Sequence, residues 1–211
     1  MLTLYGARGS GVAAIEAALI VIGVPYRSVE AATWLPGPDL EELKRVNPLG
    51  QIPTLVLEDG SVLSESAAIL IHLGLAYPES GLLPAGTTER AQAIRGLVYI
   101  AANCYAAIGV IDYPERWCAD CDDATAKRIR SGTRARIHEL WTTFADTFAP
   151  QPLLSGARIG ALDLLAAVVS RWSGARAHLA KERPVLHEHL VAIDNDPRLA
   201  TLFNRHWPPK T

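Results

Sequence analysis

The sequence of 211 residues predicts an α/β domain followed by an all-α helical bundle. Three observations predict it. Up to about residue 78, short runs of alternating apolar residues take turns with apolar helical stretches. A stretch dense in turn formers, Glu79-Ser-Gly-Leu-Leu-Pro-Ala-Gly86, then interrupts the pattern. Beyond it the apolar spacing is helical. The expected division is a first domain over 1–78, a linker over 79–86 and a helical domain over 87–211.

Taken in order, Leu2-Thr-Leu-Tyr5 alternates as a short strand does, and Gly6-Ala-Arg-Gly-Ser-Gly11 is a tight turn. Val12 to Ile22 reads as a helix ended by Gly23, a residue that takes the left-handed cap conformation without steric cost. Apolar side chains lie on nearly all its faces and Glu16 is its only charge, so the helix should be buried. Pro25 to Glu30 reads as a second strand. Asp39 to Arg45 fits a short helix, acidic at its start and basic at its end, which complements the helix dipole. Pro53 cannot donate to a sheet ladder, so it belongs at the entry to a strand, here Thr54–Leu57. Glu58-Asp-Gly60 is a hairpin turn into Ser61–Leu63. Ala67 to Ala76 is a third helix, stopped by Tyr77-Pro78. The order β-α-β-α-β-β-α predicts a mixed sheet with helices on both faces.

In the second half, Ile94, Leu97, Val98, Ala101, Tyr105 and Ile108 recur at helical spacing and predict one helix from Thr88 to Val110. Ile137, Leu140, Trp141, Phe144 and Phe148 define a second, from Asp123 to Phe148. Its Lys127, Arg128, Arg130, Arg134 and Arg136 read as a solvated face. Two more helices fit Glu182–Ile193 and Pro197–Phe203.

Composition excludes several function classes. The net charge of −2 gives no reason to expect nucleic acid or an anionic membrane surface. No apolar run reads as long and uncharged enough to span a bilayer. Met1 to Gly6 reads as a strand with no basic stretch before it, unlike a secretory signal. The three cysteines, Cys104, Cys118 and Cys121, cannot all pair, so a cytoplasmic setting is the default. Cys118-Ala-Asp-Cys121 has the spacing of a redox pair or half a zinc site. No second C-x-x-C or H-x₃₋₅-H completes four ligands, so a reduced pair and no metal are expected.

The glycines at 6, 9 and 11 do not have the spacing of a dinucleotide-binding turn, and the turn holds no redox cysteine. Ser10 there suits a helix cap by itself. Glu65 and Ser66, just before the helix from Ala67, suit a helix amino end by themselves.

Two segments together carry more. Asn47-Pro-Leu-Gly-Gln-Ile-Pro-Thr-Leu55 precedes the third strand, and Leu63-Ser-Glu-Ser-Ala67 comes some ten residues later. In this combination, and over essentially the whole chain, the sequence resembles the cytosolic glutathione transferases of bacterial type. The resemblance implies a thioredoxin-like first domain and a cis bond at Ile52–Pro53. It implies that the N–H and C=O of Ile52 pair with glutathione as a strand edge would. Gln51 would contact the glycine end or cysteinyl backbone. Glu65 would take the γ-glutamyl ammonium, and Ser66 with the helix N–H groups the α-carboxylate. Ser10 falls at the position of the thiol-activating group, with Tyr5 as runner-up. Trp34 would help close the glycine end, and Asn103 would lend polar help near the thiol. The electrophile pocket would lie between the domains, walled by the Gly6–Gly11 turn and by the helix carrying Tyr99, Asn103 and Tyr105. Gly160 stands where the family has a hydroxyl residue in the capping box ended by Asp163. A lysine found in some classes is missing from Ala31–Pro38. The implied activity is transfer of the glutathione thiolate, as co-substrate, to small hydrophobic electrophiles by a homodimer. The alternatives are peroxidase or isomerase chemistry at the same site, or a non-catalytic interaction module.

Overall fold

The computed structural model describes residues 1–208. It opens with β1 (Leu2–Gly6), α1 (Val12–Ile22), β2 (Tyr26–Glu30), α2 (Pro38–Val46), β3 (Thr54–Val56), β4 (Val62–Ser64) and α3 (Ser66–Ala76). The four strands lie in the order β2-β1-β3-β4, with β1 and β2 parallel and the other pairs antiparallel. This is the thioredoxin-like arrangement. Alternation along β1 explains the two layers. Leu2 and Leu4 face the main core under α1 and α3, while Tyr5 faces a small cluster with Ala31 and Leu43 beneath α2.

Helix α1 is buried from Val12 through Leu19, because α3, α7 and α10 pack around it as well as the sheet. The helical part runs α4 (Thr87–Tyr99), a π-helical segment (Ile100–Tyr105), α5 (Ala106–Asp112), α6 (Asp123–Thr147), α7 (Ala161–Val169), α8 (Ala175–Glu182), α9 (Pro184–Asp194) and α10 (Ala200–His206). The order of the sheet-bearing part and the helical nature of the rest agree with the sequence pattern.

The differences have local causes. The expected single helix from Thr88 is interrupted by the π-helical segment, which inserts extra chain and turns the residues beyond it off the 3.6-residue phase. Thr87–Asp112 as a whole is long and apolar enough, at mean hydropathy 1.6, to cross a bilayer. That corrects the expectation that no such run exists; here the run packs against α6 and α7. Helix α8 has little apolar periodicity and leaves no helical signal in the sequence. Helix α9 starts at Pro184, which is preorganised for a first helical turn. Helix α10 starts at Ala200 because Leu199 and Ala200 both donate to the Asp196 carbonyl, closing a turn first.

Candidate active site

The strand register collects three turns at one end of the sheet. Tyr5 pairs with Thr54 and Thr54 with Ser64, so the turns after β1, before β3 and after β4 all open at that end. A cleft of about 940 Å³ runs from these turns to α5 and Trp172.

The turn before β3 is pinned from inside. The Asn47 amide donates to the Gln51 carbonyl at 3.2 Å and to the Thr54 hydroxyl oxygen at 2.9 Å. The Thr54 hydroxyl donates to the Gln51 carbonyl at 2.7 Å. Both side chains are buried, so these bonds are sheltered from water. They hold the cis Ile52–Pro53 bond at the cleft wall. Among the described residues no turn or loop hydrogen bond engages Ile52, whose backbone therefore remains a free strand edge. Gln51 and Trp34 line the same cleft, and Trp34 is 53% exposed.

Glu65 precedes α3 with φ +66°, a conformation that a side chain rarely adopts. Among the described residues its carboxylate has no bonded partner, so it is free to meet a cation. Ser66 is buried at the first turn of α3, beside N–H groups without helical acceptors. An ammonium carboxylate zwitterion fits such a pair, the cation at Glu65 and the anion at the helix amino end.

Ser10 lies at the amino end of α1 and lines the cleft. Its hydroxyl donates to the Ala7 carbonyl at 2.7 Å and accepts from the Val12 N–H at 3.3 Å. Its proton is thus engaged within the turn. Tyr5 points the other way: its hydroxyl donates to Glu42 at 2.9 Å under α2, and it does not border the cleft. Burial, then the Glu42 bond and charge, push its phenol up.

Of the helical residues expected at the wall, Tyr105 is there and Tyr99 and Asn103 are not. The Asn103 amide donates to the Tyr99 carbonyl at 3.0 Å, and the Tyr99 hydroxyl to the Leu140 carbonyl at 3.0 Å. The π-helical segment is the reason, since it changes which side chains face the cleft. Tyr105 reaches the amino end of α1 so closely that a Cβ at Gly11 would collide with its hydroxyl. Burial pushes that phenol up to about 12, against the pull of the Gly11 N–H, and the Glu65 charge adds to the rise. It therefore stays protonated and can donate at neutral pH. Trp172, which the sequence did not single out, stacks on it at 5.6 Å and 30°. Ala101, Ile108 and Ile111 continue the apolar wall, and Arg116 and Arg134 stand at the cleft as well. Cys118 and Cys121 are free thiols outside the cleft, their sulfurs on the Ala119 and Asp122 carbonyls.

A thioredoxin-like sheet with an unpaired backbone edge at Ile52, a helix amino end at Glu65–Ser66 and an apolar wall from an attached helical part place the chain among α/β-plus-α proteins with a cleft at one end of the sheet. Comparison with known proteins narrows the class. The profile described as "Glutathione S-transferase, N-terminal domain" matches residues 14–75. The uncharacterized GST-like protein YncG of Escherichia coli strain K12 is 30% identical over 207 residues, 98% of this chain and 98% of that one. The chain belongs to the glutathione S-transferase family. Glutathione S-transferase GstA of Escherichia coli O157:H7 is 28% identical over 129 residues, 61% of this chain and 60% of that one. A crystal structure of a glutathione transferase homologue from Sulfitobacter with bound glutathione superposes with a TM-score of 0.82 at 21% identity, covering 96% of each chain, a likeness of fold.

Proposed function

We propose that the protein transfers the glutathione thiolate to small hydrophobic electrophiles, as a cytoplasmic homodimer. One observation carries the reading: the Ile52 edge, the Glu65–Ser66 helix end and the Ser10 turn meet in one cleft that continues into an apolar wall. The first two suit the peptide, the third its thiol and the wall the electrophile. In this reading Gln51 and Trp34 border the glycine end. Pro53 fixes the course of the chain there. Ser10 and the amino end of α1 hold the thiolate, and the Tyr105 phenol faces the same spot. The thiol proton leaves to solvent, sulfur forms a bond to the electrophilic carbon, and the leaving group departs with its electron pair. The thiol needs help, because at a free pKa near 8.5 only a few per cent is ionised at pH 7.

Calorimetric titration with glutathione, then turnover of an activated aryl halide, tests this. Saturable binding with turnover is expected. No binding would overturn the reading, and binding without turnover of any aryl halide or alkyl electrophile would leave a binding module.

A further inference from the structure

The turn that carries Ser10 is tied to residues almost two hundred positions away. The Gly9 N–H donates to His206 Nδ1 at 3.0 Å. Because Nδ1 accepts, the ring proton sits on Nε2, which donates to Glu16 Oε2 at 2.5 Å. The other Glu16 oxygen accepts from the Tyr26 hydroxyl at 3.0 Å and from Arg205 at 2.7 Å. Glu16 and His206 are 3% and 6% exposed. Glu16 belongs to α1 and Gly9 to the turn before it, so one imidazole is fastened on both sides of Ser10.

We propose that His206 is a positioning residue for thiol activation: through Gly9 and Glu16 it fixes the Ser10 turn against the amino end of α1. This rests on the transferase reading given above. The physical reason is the short reach of the donors involved. A hydroxyl and a helix end act on one sulfur only if their spacing is held, and a misplacement of about 1 Å can cost on the order of 10²-fold in rate. A bond to the backbone of the turn on one side, and to the adjoining helix on the other, sets that spacing. Glu16 fixes the ring tautomer that leaves Nδ1 free to accept. The charged and titratable groups facing the ring are Glu16 on α1, Arg205 on α10 and, through Glu16, Tyr26 on β2. None of these residues borders the cleft, so the effect reaches the ligand only through the turn.

Two replacements separate positioning from mere anchoring. Asparagine places an acceptor where Nδ1 stands and loses the Glu16 bond. Glutamine reaches Glu16 and loses the acceptor for Gly9. His206→Gln should lower kcat about tenfold or more and raise the pKa of bound glutathione, read by thiolate absorbance against pH. The KM for glutathione should move about threefold or less, because Ile52, Glu65 and Ser66 are untouched. His206→Asn, which keeps the acceptor for Gly9, should lose less of kcat than His206→Gln and shift the thiol pKa less, even if its thermal midpoint falls further. Equal kcat and thiol pKa in both variants and the wild type would reduce His206 to an anchor and overturn the proposal. Should His206→Gln fail to fold, the wild type itself decides by ¹⁵N resonance of the ring. The tautomer with an unprotonated Nδ1 and a protonated Nε2 is expected under the conditions of the turnover assay, and a protonated Nδ1 there would overturn the proposal. Failure of the wild type to bind glutathione would instead sink the transferase reading, and this inference with it.

Discussion

Ser10 already spends its proton on the Ala7 carbonyl at 2.7 Å. To reach a thiolate the hydroxyl must turn, exchanging a neutral hydrogen bond of about 0.5–1.5 kcal/mol for a charged one of about 1.5–3. The difference, about 1–1.5 kcal/mol, corresponds to about one pKa unit. Ser10→Ala is therefore expected to raise the pKa of bound glutathione by about one unit, with little loss of affinity. Tyr5→Phe should leave it unchanged, because that hydroxyl lies on Glu42. Tyr105→Phe should raise it further in combination with Ser10→Ala. Absorbance of the bound thiolate against pH checks all three, and a shift confined to Tyr5→Phe would refute the assignment. Glu65 makes a second case at this scale. Its φ of +66° costs on the order of 1–3 kcal/mol, which glycine would release at an entropic cost of about 0.5–1. Glu65→Gly should thus hold or gain up to about 2 kcal/mol of stability in urea unfolding, while retention on glutathione-agarose is lost. Lower stability with retained binding would count against the proposed role.

Helix α7 shows what a single element requires. Asp163 is fully buried and accepts from the N–H groups of Leu154, Ser155 and Gly160 at 2.8, 3.1 and 3.0 Å, and from His189 at 2.7 Å. Gly160 in place of a hydroxyl residue has a steric reason, since a Cβ there would lie 2.6 Å from the Leu82 carbonyl oxygen. Asp163→Ala strands all four donors in the interior and should cost about 3–5 kcal/mol in urea unfolding, with activity per folded molecule unchanged. A stable but inactive variant would refute the structural role. The bond from the Gly160 N–H to Asp163 was legible in the sequence as a capping box; the three other donors were not, because they arrive from a loop and from α9. The same limit governs the site. That Pro53, Glu65 and Ser66 stand at strand or helix boundaries could be read from local chemistry, and the structure puts all three at the cleft. Asn103 could not, because a π-helical segment leaves no mark in apolar spacing. Trp172 and His206 act through tertiary contact alone, and a histidine in a last helical turn reads as an ordinary complement to the dipole.

For the molecule as a whole, the junction between α1 and α10 should show in acid. Burial raises the Glu16 carboxyl, but the His206 bond and the Arg205 charge outweigh it and hold the group below its usual value of 4.5. A depressed carboxyl stabilises the fold fully above the unfolded value and progressively less as pH falls below it. Unfolding free energy should therefore decline as pH drops below about 4.5, and Glu16→Gln should flatten that decline. An identical pH profile in the variant would show that other carboxylates govern it. The proposed homodimer is checked by sedimentation at micromolar concentration, where a monomer would refute it.

The bond between Gly9 and His206 spans 197 positions. At about 5–20 residues per second of synthesis, the turn waits roughly 10–40 s on the ribosome for its partner. During that time the sheet can form, but the turn beside Ser10 lacks the imidazole that holds it. A nascent chain stalled before residue 206 would carry most of the glutathione edge with its thiol-activating corner still loose. Under the proposed positioning role such a chain would work at only a fraction of the finished protein's rate, and full turnover would come once α10 has closed over α1.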